Sequence, residues 1–201
     1  DKRLRSSVAL MKDSGNIVID TGPDFRMQML HAEIDQLSAA LITHEHNDHI
    51  AGLDDIRPFN FMNRSALRVY ARARVAEQIK HRFAYIFSNK PYPGAPQVEL
   101  EQFENNVVLE IDGFKIFPIE YYHGKMPVSG FICNQMAYLT DVKTIPQDQK
   151  QYLKGLRVLV ISALHKDPHF THLNLDEALE LIDELKPEMA YLTHVSHRMG
   201  K

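Results

Sequence analysis

The sequence predicts an α/β protein, an αββα sandwich of two packed mixed β-sheets flanked by helices. Three observations predict it. Two blocks of short apolar runs each lead into amphipathic helical patterns, an antiparallel meander separates the blocks, and no internal repeat or linker divides the 201 residues. Residues 1–201 are therefore read as a single domain.

Taken in order, Val8 to Met11 and Ile17 to Asp20 form a first hairpin across the polar, Gly-containing stretch Lys12 to Asn16. After Asp20-Thr21-Gly22-Pro23, the near-helical spacing of Phe25, Met29 and Leu30 places a helix over Asp24 to Glu33. Ala39 to Thr43 is a buried strand that runs straight into His44-Glu45-His46-Asn47-Asp48-His49. Leu67 to Ala71 is the next strand, and Val75 to Phe87 a helix with Ile79, Phe83 and Phe87 on one side. Lys90 to Pro96 contains three prolines and a glycine, so it is a stiff loop, suited to flank a cleft. The strands Val107 to Ile111, Phe114 to Tyr121, Ser129 to Cys133 and Met136 to Leu139 make the meander, with Asp112-Gly113 and Asn134-Gln135 as turns. A strand (Leu156 to Ile161), a helix (Leu175 to Leu185, stopped by Pro187) and a strand (Met189 to Thr193) finish the chain. The apolar residues of Phe59-Asn60-Phe61-Met62 and Phe83 to Phe87 are assigned to the core, with a homodimer contact as the alternative.

Composition narrows the function. With 44% hydrophobic and 24% charged residues the chain is an ordinary globular one, and 23 Lys plus Arg against 26 Asp plus Glu leave no basic surface for gripping polyanions. Apolar runs such as Val158 to Ile161 fall far short of the ~20 residues a membrane span requires. Cys133 is the only cysteine and is expected in the core, so no intrachain disulfide forms and a reducing cytoplasm is the expected compartment. The chain has no initiator Met and stops just after a polar turn, which leads to the expectation that it is trimmed at both ends. Histidine is abundant, at 11 residues, and its placement matters more than its number.

His44-X-His46-X-Asp48-His49 is the strongest signal. Alternate residues of an extended segment point the same way, which sets His44 and His46 side by side as imidazole ligands. As the backbone turns toward a helix, Asp48 and His49 can face a second point a few ångström away. At this chain's composition, roughly 0.002 such patterns arise by chance. Asp20-Thr21-Gly22 followed by this segment resembles the metallo-β-lactamase superfamily, whose fold is the αββα sandwich, and the resemblance covers essentially the whole chain.

The resemblance implies a ligand set. His44, His46 and His123 would hold one metal, Asp48, His49 and His194 a second, with Asp141 bridging and room for a hydroxide between the ions. His123, Asp141 and His194 each fall where an apolar strand gives out into a loop. Asp20 would brace the metal-binding loop through hydrogen bonds without touching metal. Two divalent ions are expected, zinc or manganese, with nickel or iron also compatible with histidine and carboxylate.

Finer features are similar to PhnP-like phosphodiesterases: Gly52 to Asn60, His123-Gly124-Lys125, Leu139-Thr140-Asp141, and His172-Leu173-Asn174-Leu175 ahead of a helix. That subfamily resemblance implies a small, cyclic or acyclic, phosphodiester as substrate. It gives His172 the part of the acid that assists the leaving group, on the expectation of a near-neutral pKa, and counts Asp48 with the catalytic set. Arg57 could contact phosphate or form an ion pair with Asp54 or Asp55. Lys125 and Ser129 are read as ordinary loop polarity, and His165 and His169 as surface residues. His197 matches a position that joins an N-terminal cysteine cluster around a structural zinc in PhnP-like proteins; lacking that cluster, the chain is expected to hold no such zinc. Three other readings stand beside this one. A tRNA 3′-processing nuclease shares the ligands but needs a basic arm, so nucleic acid is disfavoured. A thioester or lactone hydrolase would aim the same hydroxide at carbon, and a metal-binding scaffold would do no chemistry.

Overall fold

A computed structural model describes residues 2–200 and resolves the chain into two compact units. The N-terminal unit comprises Lys2–Glu104 with Ile111–Gly113, and the C-terminal unit Asn105–Glu110 with the chain from Phe114 onward.

The N-terminal unit is built on a five-stranded mixed sheet, in the order β1 (Val8–Lys12), β2 (Gly15–Ile19), β3 (Ala39–Leu41), β4 (Leu67–Ala71), β5 (Val98–Gln102). The hairpin β1–β2 is antiparallel and every later pairing is parallel. Val18, Ala40 and Val69 line up on one face and pack under α1 (Phe25–His31), α2 (Asn47–Ile50), α3 (Arg57–Asn63) and α4 (Ala73–Arg82) through Phe25, Ile50, Phe59 and Ile79. Ile17, Ile19 and Leu41 on the other face are equally buried, which is why these strands read as unbroken apolar runs.

The C-terminal unit carries a six-stranded mixed sheet in the order β11 (Met189–Thr193), β10 (Val158–Ser162), β9 (Met136–Leu139), β8 (Met126–Cys133), β7 (Phe114–His123), β6 (Leu109–Ile111). The strands β7, β8 and β9 are the expected antiparallel meander, while β9, β10 and β11 run parallel. Cys133 is buried at the end of β8, as expected. Two helices follow from this half of the sequence: α5 (Gln147–Lys150) and α6 (Leu175–Leu185), the second seated on the sheet through Ala178, Leu181 and Leu185.

The start of α6 is set by a capping box. Asn174 Oδ1 accepts from the Glu177 amide at 2.8 Å, and Glu177 Oε2 accepts from the Asn174 amide at 2.9 Å. Lys143 Nζ meets both Glu177 oxygens at 2.8 and 2.9 Å. Burial acts most strongly on Glu177 and would raise its pKa, but the Lys143 and Asn174 bonds outweigh it and hold the carboxyl below its usual value. A depressed folded-state pKa contributes stability above the unfolded value of about 4.3, lost as pH falls through the folded value. Glu177→Gln should therefore flatten the stability slope below about pH 5 while costing under about 1 kcal/mol at neutrality, because the pair is partly exposed. Urea denaturation of both proteins from pH 7 to pH 3 measures it, and equal slopes would overturn it.

Several elements differ from the sequence reading. The helix expected over Val75 to Phe87 stops at Arg82, because Phe83 leaves helical geometry and the chain turns so that Tyr85 reaches Asp54 at 2.5 Å. Strand β5 is not among the predicted strands: its alternating Val-Glu-Leu-Glu pattern carries too little apolar content to stand out from a polar loop. Val107 and Val108 lie exposed before β6 and are not part of it. Phe59 is core, but Phe61 is 72% exposed and Met62 51%, so the core assignment fails for these two, which lie on the outer side of α3. Among the described residues no helix is long and apolar enough to cross a membrane.

Candidate functional site

In the N-terminal unit the expected ligands gather where β3 ends. Asp20, one residue past β2, adopts a left-handed backbone (φ 66°) and is fully buried. Its Oδ1 accepts from the Thr43 amide at 2.9 Å, the Thr43 hydroxyl lies 3.0 and 2.9 Å from its two oxygens, and His49 Nδ1 lies 2.7 Å from Oδ2. Burial pushes the Asp20 carboxyl up from its ordinary value, and the His49 and Thr43 hydrogen bonds oppose that rise. Since a hydroxyl has one proton and a carboxylate can only accept it, Thr43 Oγ1 donates to Asp20 and accepts from His44 Nδ1, 2.9 Å away. Asp20 thereby fixes two imidazoles, His49 directly and His44 through Thr43, with each Nε2 on the side of the ring that could meet a metal. Sequence reasoning misses Thr43, although a hydroxyl between a strand and the first histidine is a readable signal.

His44 Nε2 lies 3.1 Å from His46 Nδ1, close to the roughly 3.3 Å edge that two nitrogens make on a tetrahedral ion at 2.0–2.1 Å. Asp48 Oδ2 is 3.7 Å from His49 Nε2 and forms the second pair. The segment is clamped from α4, where Arg74 pairs with the Glu45 carboxylate and Arg82 Nη1 donates to Glu45 O and Asn47 Oδ1 at 2.7 Å each. Gly22 and Gly52 allow the Asp20 loop to lie against α2: a Cβ on Gly22 would come 2.2 Å from Asp48 O, and one on Gly52 2.1 Å from Gly22 O.

The C-terminal unit holds the remaining expected residues. His123 closes β7, and its Nδ1 donates to Thr171 O at 2.7 Å, which leaves Nε2 as ligand atom. Asp141 and His194 each follow a strand and share the left-handed backbone of Asp20, at φ 55° and 53°. Such conformations are costly for non-glycine residues and concentrate at functional positions. Asp141 Oδ2 lies 3.4 Å from His194 Nε2, and Asp141 Oδ1 lies 3.6 Å from His172 Nδ1. Ligand atoms of His123, Asp141 and His172 all fall within 4.8 Å of one another. The buried His172 Nδ1 makes no hydrogen bond, so an atom suited to hold a proton or a metal faces this cluster.

Three expectations need correction. Burial, with added repulsion from His194 and His123, outweighs Asp141 and lowers His172 to about 3, so the ring is neutral near pH 7 and not a near-neutral acid. His165 is not a surface residue, being 4% exposed, and His169 is half-buried, its ring between those of His165 and His172, 5.6 and 5.0 Å away. Ser129 is buried and donates to Asn105 Oδ1 at 3.1 Å, so it is not loop polarity. Arg57, the first residue of α3, takes the ion-pair alternative: it pairs with Asp54 and donates to Tyr92 Oη at 2.9 Å, which ties down the proline-rich loop. His197 lies exposed in the short turn His197–Met199.

Buried imidazoles with fixed tautomers, beside carboxylates at strand ends, suit divalent cations, and the fold and site are those of a metal-dependent hydrolase domain. Residues 15–195 match the model of the β-lactamase superfamily domain, and the chain belongs to that superfamily. An octanoyltransferase of Porphyromonas gingivalis is 37% identical over 199 residues, 98% of this chain; the chain spans only 40% of that protein's length. The crystal structure of a new diphosphatase from the PhnP family is 37% identical at a TM-score of 0.90, covering 98% of this chain and 74% of that one. Human tRNase Z, short form, shares the fold at 17% identity and a TM-score of 0.72, over 96% of this chain and 86% of its own. The α/β class expected from the sequence, two mixed sheets each with its own helices, is the one these relatives carry.

Proposed function

We propose that the chain is a dinuclear phosphodiesterase acting on a small diester. The single observation that carries the reading is that the seven expected ligands lie at or just past the ends of β3, β7, β9 and β11 or in α2 directly after β3, with His172 in the loop before α6, within a family model that runs through both groups of residues. His44, His46 and His123 would hold one ion and Asp48, His49 and His194 the other, with Asp141 shared. When bound, zinc or manganese would polarise the ester and acidify water. Asp20 and the Thr171 carbonyl keep Nε2 of His44, His49 and His123 free of protons for this task. A neutral His172 would serve as a hydrogen-bond donor to the departing oxygen, in place of the charged acid the sequence suggested. The solved relative of the PhnP family, a diphosphatase, supports phosphorus as the target, and the balanced charge favours a small ester over nucleic acid.

A second reading, thioester hydrolysis, is favoured by one observation, the octanoyltransferase relative. Acyl transfer through this chain's own thiol is opposed by the burial of Cys133 in β8. The test is hydrolysis of bis(p-nitrophenyl) phosphate and of an octanoyl thioester by metal-stripped protein with zinc or manganese restored, alongside elemental analysis. Metal-restored diester cleavage is expected, with His172→Ala lowering turnover roughly 100-fold or more at unchanged metal content. Thioester cleavage alone, or a fully active His172→Ala protein, would overturn the assignment.

A further inference from the structure

We propose that His169 is a positioning residue whose ring nitrogen sets the loop carrying His172 and the support of His123. His169 Nδ1 lies 3.3 Å from both the amide nitrogen and the hydroxyl of Thr171. A backbone N–H can only donate, so Nδ1 is the acceptor and the ring proton resides on Nε2. The carbonyl of the same Thr171 accepts from His123 Nδ1 at 2.7 Å, and His172 follows one peptide bond later. Thr171 is thus held at its carbonyl by His123, and at its amide and hydroxyl by the single Nδ1 lone pair of His169 that the two donors share.

The surroundings agree with that role. Phe170, between the two partners, is 95% exposed, so its side chain does not anchor the loop. On one side the ring of His169 meets buried His165, and on the other it meets His172. Burial, the largest cause, and neighbouring His165 lower the His169 pKa, which keeps the acceptor lone pair available. Gly124, with φ 62°, lets the β7–β8 turn approach: a Cβ there would come 2.8 Å from Thr171 Cγ2.

The inference rests on the proposed metal ligands but not on the ester they act upon. Its test compares His169→Ala with His169→Asn, whose side-chain oxygen occupies the place of Nδ1 and accepts from the amide two residues on. Zinc affinity by calorimetry, melting of the metal-stripped chain, and turnover of bis(p-nitrophenyl) phosphate are measured on each. For His169→Ala, zinc affinity at one ion and kcat should each fall about 10- to 100-fold, with KM and the stripped-chain melting temperature little changed. His169→Asn should recover both to within about threefold, as an Asx-type turn predicts. Wild-type zinc affinity and kcat in His169→Ala would overturn the proposal. So would an Asn variant as impaired as Ala, or a stripped chain that melts early in both, since either outcome marks simple packing. If the zinc pattern holds while the wild-type protein cleaves no diester, the positioning role stands and the phosphodiesterase reading falls.

Discussion

Asp141→Ala should lower the number of metal ions bound per chain, two in the proposed site, and lower the proposed hydrolysis by roughly a thousandfold or more, since ion-derived stabilisation of several kcal/mol disappears at 1.4 kcal/mol per tenfold. Asp141 is 2% exposed and stands 3.4 Å from His194 and 3.6 Å from His172, so its carboxylate lies against both rings. In the metal-stripped chain the carboxylate accepts from the buried Thr140 hydroxyl at 2.8 Å, and losing that hydrogen bond should cost about 1 kcal/mol. What also disappears is the gain on adding metal, about 2.7 kcal/mol at a hundredfold excess over Kd. Asp141→Asn tolerates the left-handed backbone as well as aspartate does, so it separates the loss of charge from backbone strain. Elemental analysis and thermal melts with and without zinc decide it. Two tightly held ions in both variants would remove Asp141 from the ligand set.

Gly22→Ala is the second large effect, and it reaches the proposed metal ligands from outside. The new Cβ would stand 2.2 Å from the Asp48 carbonyl, a backbone atom that cannot swing aside. Its neighbour Thr21 bonds the chain on both sides, donating to His49 O and accepting from the Gly52 amide at 2.8 Å each. The clash must therefore push α2, with Asp48 and His49, away from the Asp20 loop. We expect a stability loss of about 3 kcal/mol, at the upper end of overpacking costs, and weaker metal binding. Denaturation midpoints and metal stoichiometry test it, and a Gly22→Ala protein with wild-type values of both would show that the loop yields easily.

Much of the fold is legible in local sequence patterns. The hairpin β1–β2, the meander β7 to β9, helix α6 and strand β11 follow from period, turn chemistry and caps. The His44 to His49 segment is legible for the same reason, because its ligand spacing is also local. His123, Asp141 and His194 are placed only by resemblance and by their position at the ends of apolar runs. Strand β5 and the early end of α4 escape such reasoning because a partner decides each: β4 for the one, Asp54 for Tyr85 in the other.

By itself, the sequence determined which residue types are available for chemistry, the order of most strands and of the long helices, and the family. Only the tertiary structure decided what each histidine does. His165 and His169 resemble surface residues in a stretch rich in Lys, Asp and Pro, yet folding buries one and seats the other against His172. Protonation and tautomer depend on the desolvation and hydrogen-bond partners that the fold supplies, such as Asp20 for His49, Thr171 for His123 and burial for His172. Those partners lie 29 and 48 residues away along the chain for His49 and His123, a separation that no local pattern encodes.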